Sequence, residues 1–137
     1  MQESTIWQNQ DYLKLTVQQW CGFLQDPSIF DENALRMVQF VYRQMNHTST
    51  ASDIAAAFST NKVTVHHNQI TAWNRKIAKM IYNHCNVAPP VDFKGEKRYW
   101  NVVFDGNPEH PTDQNGHYYW ILRPNLVTAM QLLALDP

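Results

Sequence analysis

Pro89-Pro90 divides this chain more firmly than any other feature of it. Two successive prolines remove two backbone donors and block helical continuation, so any helix that precedes them must end there. Upstream, residues 11–87 carry apolar side chains at the three- and four-residue spacings of amphipathic helices. Downstream, residues 99–122 are rich in aromatic and β-branched side chains interrupted by Pro and Gly, the mark of strands and turns. The expected fold class is therefore α+β. A single domain over 1–137 would consist of a helical half at 11–87, a linker at 88–98, and a hairpin with a closing helix at 99–135.

Within the helical half, "DYLKLTVQQWCGFLQ" sets Leu13, Val17, Trp20, Phe23 and Leu24 on one stripe, and Asp26-Pro27 ends it. Asp31 suits the N-cap of a second helix that carries Leu35, Val38, Val41, Tyr42 and Met45. "NHTST" reads as a polar break. Thr50 is then an N-cap with Asp53 three residues on, opening a short alanine-rich helix with Ile54 and Phe58 inward. "HHNQITAWNRKIAKMIYNHC" is a long helix with Ile70, Trp73, Ile77, Met80 and Ile81 on one face and a wet, basic side elsewhere. "YWNVVF" and "HYYWIL" read as the strands of one hairpin, and Pro124 suits the first turn of a terminal helix. Three helices followed by a two-stranded wing is the plan of a winged helix-turn-helix, whose helix after the turn can enter the major groove.

A chain of 137 residues is one domain's worth, long enough to bury roughly two-thirds of its unfolded surface. Its apolar runs are far shorter than the ~20 residues that cross a bilayer, and "MQESTIWQNQ" has neither a basic nor an apolar leader region. A soluble, cytoplasmic protein with no membrane partner is expected. Cys21 and Cys85 lack CxxC spacing and sit among apolar neighbours, so a disulfide is not expected.

The net charge of −1 conceals a gradient. Residues 62–98 hold seven basic against two acidic side chains, a net +5, while the segments on either side are each net −3. An anionic partner belongs at the middle of the chain. There the long helix presents His66, His67, Asn68, Gln69, Thr71, Asn74 and Arg75. Amides of this kind pair with adenine edges and arginine with guanine. Lys76 and Lys79, with Lys94, Lys97 and Arg98 from the linker, are placed to neutralise phosphates, so the expected partner is double-stranded DNA. The same residues also fit an ordinary solvated helix face, and both readings stand. The hairpin tip, with Asp105, Glu109 and Asp113, is acidic and favours a different class, a protein-interaction domain or a phage- or defence-associated regulator without DNA binding.

Catalysis is not expected. "HHN", Asn74 and "NH" at 83–84 loosely follow the His-Asn-His order of HNH nucleases, but all lie on one helical pattern rather than across a hairpin and a helix around one metal. There is no Gly-rich phosphate loop, GxSxG or HExxH, and no metal or cofactor site is anticipated.

"ASDIAAAFS", "VHHNQITAWNRKIAKMI", "RYWNVVFDG" and "GHYYWILRPNLVTAM" together resemble the winged-helix-like modules that accompany HNH-type and other modification-dependent restriction endonucleases. The likeness covers about residues 33–134 and is most specific at Trp100 and "WILRPNL"; the helical half is generic. It implies DNA recognition, in some members of a methylated base, within a restriction system. A nuclease segment is missing from this chain, so the nuclease would be attached or a separate subunit. The modified-base pocket would then fall on Trp100, Tyr118, Tyr119, Trp120 and Arg123. Strand alternation sends Tyr118 and Trp120 to one face and Tyr119 and Ile121 to the other. One face packs on the helices. The other is either an exposed recognition surface or a cover for the first helix.

Overall fold

The first helix starts where the sequence supplies a cap, not where the apolar stripe begins. In the computed structural model, which describes residues 11–91, 94–107 and 109–135, α1 spans Val17–Leu24. The Thr16 hydroxyl accepts from the Gln19 amide at 3.1 Å, and the Thr16 amide donates to Gln19 Oε1 at 2.9 Å. This reciprocal box leaves Leu13 outside the helix. Asp31 caps α2 (Glu32–Arg43) as expected, accepting from the Ala34 amide at 2.9 Å.

The "NHTST" segment is more than a polar break. Its last three residues form β1 (Thr48–Thr50), and the final one also caps α3 (Ala51–Phe58): Thr50 accepts from the Asp53 amide at 3.1 Å. The connection to α4 (His67–Cys85) is ordered by its own side chains. The Val65 amide donates to Ser59 Oγ at 2.8 Å, and the Val63 amide to Thr60 Oγ1 at 3.0 Å. Asn86 ends α4 in the left-handed region at φ 54°.

β2 (Phe104–Asp105), β3 (Tyr119–Leu122) and α5 (Pro124–Leu132) complete the chain, and Pro124 sits in the first turn of α5 as expected. The three strands form an antiparallel sheet in the order β1-β3-β2. Thr50 lies opposite Tyr119 and Phe104 opposite Leu122. The expected two-stranded hairpin is thus corrected to a three-stranded sheet with a much shorter β2. Residues 100–103 turn instead of extending, and Arg123 fastens this turn to the end of β3, its guanidinium holding a carbonyl within it. Its Nη2 donates to the Asn101 carbonyl at 2.6 Å and its amide donates to the Val103 carbonyl at 3.2 Å.

Between β2 and β3 the hairpin tip is built as a smaller hairpin. The Tyr119 amide donates to the Pro111 carbonyl at 3.0 Å, Thr112 bridges Tyr118, and the Asp113 amide donates to the His117 carbonyl at 2.9 Å. Asp113 Oδ1 accepts from the amides of Asn115 and His117 at 2.8 and 3.0 Å, and Gly116 takes the left-handed turn position at φ +82°. These amides hold the Asp113 carboxyl below its ordinary value, the His117 amide first among them.

One core joins both halves. Met37, Val38 and Val41 of α2, Ile54 of α3, and Ile70, Ile77 and Ile81 of α4 meet Phe104, Leu122, Leu126 and Met130, all buried. α1 lies along α5, and Asn125 Nδ2 donates to the Leu15 carbonyl at 3.0 Å. Among the described residues no helix is long and apolar enough to cross a membrane. Cys21 and Cys85 are free thiols, and burial pushes that of Cys85 up.

Candidate functional site

The site is organised by one row of α4. His67, Thr71, Arg75 and Lys79 recur every four residues and are all exposed, so they run side by side down one face of the helix. The segment 97–100 lies beside this row. It is tied there by Asn74, whose Nδ2 donates to the Trp100 carbonyl at 3.0 Å. Alternate residues of the segment then serve two different places. Arg98 and Trp100 border a cleft with His67 and Thr71, whereas Lys97 and Tyr99 gather with Arg75 and Lys79.

The cleft has a volume of about 500 Å³. Its far side comes from Tyr118 and Trp120, two residues apart on β3 and its lead-in and hence on one face, as the alternation predicts. Tyr118 is 56% exposed and stands at the rim, whereas Trp120 is 6% exposed and stacks on Phe104 with ring centroids 4.9 Å apart. Trp120 is therefore a core residue that shows the cleft only part of its indole. Ser52, in the first turn of α3, and His117, from the tip hairpin, complete the polar lining. Sequence reading missed both. His117 had a local signal, lying one position before the aromatic run, but Ser52 had none, since only the sheet brings α3 next to the hairpin.

On the other side of the segment 97–100, Arg75 and Lys79 both lie over the Tyr99 ring, at 5.5 and 5.6 Å from its centroid. Lys97 joins them, with Glu96 at the border. Two cations over one ring with a third beside them make a patch suited to an anion. Lys76 points away from this group and meets Asp31 at 3.8 Å. Lys94 is exposed in the linker, outside both groups; Asp92 and Phe93 of the linker lie outside the described residues.

Several sequence-level assignments change. Asn74 is only 1% exposed, so it is not on a base-reading face; it holds Trp100 instead. Gln69 Oε1 accepts from the His66 amide at 2.9 Å, and the Thr71 hydroxyl donates to the His67 carbonyl at 3.0 Å, so both are partly spent within the helix. His66 and Asn68 are exposed at the start of α4 but do not border the cleft. Tyr119 is half-buried on the opposite face of β3, outside the cleft. Arg123 is also outside it: the guanidinium is buried against the Asn101 carbonyl and the Asp105 carboxylate, the latter at 3.6 Å.

One acid of the tip is paired with a cation: Asp105 faces Arg123, while Asp113 lies 3.3 Å from His117 Nδ1 and Glu109 is exposed. Among the described residues no group of three His, Cys, Asp or Glu is arranged to hold a metal ion. No family model, curated protein or solved structure matches the chain.

Proposed function

We propose that the chain is a DNA-binding winged-helix module of the cytoplasm, a binding domain rather than an enzyme, that reads a modified base as part of a restriction or defence system. α3 and α4 serve as the helix pair, β2 and β3 with the tip as the wing. The order helix, strand, two helices and a hairpin whose last strand is central supports this architecture. The connection at 59–66 is longer than the roughly three- to four-residue turn of the compact motif, yet its side-chain bonds give it a defined path.

The observation that carries the reading is the exposed row His67, Thr71, Arg75 and Lys79, which sets base-reading side-chain types beside a basic cluster on the helix that would enter the groove. Phosphate contacts supply affinity there and the cleft supplies discrimination. A methyl group buried against Trp100 or Tyr118 contributes about 0.8 kcal/mol, a preference of a few-fold. The pairing of Asp105 with Arg123 removes part of the repulsion that spoke for a protein partner instead.

The test is an anisotropy titration with methylated and unmethylated duplexes at two salt concentrations. Affinity should fall as salt rises and be higher for the methylated duplex. Salt-independent binding, or none at low salt, would sink the proposal; equal affinities would remove modified-base reading alone.

A further inference from the structure

The size of the cleft carries more than a preference for a methyl group. A base inside a duplex has both faces covered by its neighbours and shows the groove only its edge. The cleft, at about 500 Å³ and bordered by Trp100, Tyr118 and Trp120, is large enough for a whole planar ring. Aromatic side chains at such a site act on ring faces, and a base offers its faces only after leaving the stack.

The second observation is the patch around Tyr99. Arg75 and Lys79 share that ring at 5.5 and 5.6 Å, and Lys97 and Glu96 border the same patch, so among the described residues three basic side chains gather there with one acidic one. The cleft and this patch are consecutive stations on one helix row, Thr71 bordering the first and Arg75 the second, a single turn apart. A ring held in the cleft puts an attached anionic group within reach of the patch. We infer that the cleft takes one nucleobase extruded from the duplex, while the Arg75, Lys79 and Lys97 cluster holds a phosphate of the same strand. The inference rests on the DNA-binding reading above and adds that the base is taken out of the helix.

Two labelled duplexes of one sequence test it, one fully paired and one in which a single base faces an abasic position and so costs less to extrude. Wild-type protein should bind the second about tenfold or more tightly. Tyr118→Ala, at an exposed rim position, should bring that ratio to within about twofold, because the ring loses a stacking partner. Lys79→Gln should weaken both duplexes by a similar factor and leave the ratio in place. Equal affinities for the two duplexes in wild-type protein, or a ratio that survives Tyr118→Ala, would overturn base capture while DNA binding stands. Binding to neither duplex would overturn the underlying reading as well.

Discussion

Asn74 and Trp100 are joined across 26 positions of sequence by one hydrogen bond, the Asn74 carboxamide donating to the Trp100 carbonyl at 3.0 Å. This bond sets the phase of the segment that runs past α4, and with it which side chains turn to the cleft and which to the basic patch. Asn74→Leu keeps the branched outline and removes the donor, for an expected loss of about 1–2 kcal/mol. The loss is moderate because the buried Asn74 Oδ1 accepts no hydrogen bond among the described residues, and removing it offsets part of the cost. Urea unfolding followed by tryptophan emission checks both points: a lower midpoint, and a native spectrum altered by the shift of Trp100.

Trp120 and Tyr118 share a strand face but differ in burial, 6% against 56%, so their truncations should differ as well. Trp120→Ala removes the ring that stacks on Phe104 and should cost about 3–5 kcal/mol. Tyr118→Ala should stay within about 0.5 kcal/mol of wild type. Thermal melts of the two variants side by side decide it, and similar losses would mean that the rim is packed more tightly than its exposure indicates.

Affinity for DNA should depend unequally on the three cations of α4. Arg75 and Lys79 flank Tyr99, whereas Lys76 is turned toward Asp31. Replacing Arg75 and Lys79 together by Ala should lower the slope of log affinity against log salt by roughly 1.8, about 0.9 for each phosphate that is no longer neutralised. Lys76→Ala should change it far less. A double variant with the wild-type slope would take this face of α4 out of the interface.

Tyr82 provides a pH marker of the fold. Burial is the main cause that pushes its phenol up to about 12, and its ring packs edge-on against Tyr99 with centroids 6.1 Å apart. Because the folded value lies above the ordinary one of about 10, this stabilising contribution is fully present below pH ~10 and is lost as pH rises through ~12. The difference amounts to about 2–3 kcal/mol. An ultraviolet titration of the tyrosines should show a late phase, removed by Tyr82→Phe, that coincides with weakening of the fold.

The helices were legible because their signals are local. Asp31, Thr50 and Pro124 act within one turn of where they stand, and each begins a helix as expected. β1 was not legible, since three residues with two threonines become a strand only by lying against β3. Residues 100–103 have strand-like side chains and still turn, held by a guanidinium from a distant position that bonds the Asn101 carbonyl. Asn74 was misassigned by residue type alone. Its spacing was informative: with Ile70, Ile77 and Ile81 it falls on the buried stripe of α4, while His67, Thr71, Arg75 and Lys79 repeat on the wet one. The cleft itself drew on α3, α4, the segment before β2 and the tip, and no window of sequence spans that set.

The central position of β3 also determines when the molecule can become whole. Its two neighbours are made before it, at residues 48–50 and 104–105, but neither bonds to the other; both wait for residues 119–122. On the ribosome the helices can gather as they emerge, but the sheet closes in a single late event once β3 clears the exit tunnel. Until then the edges of β1 and β2 are open, and a premature stop before residue 119 would leave a nascent chain with helices, two orphan strands and half a cleft.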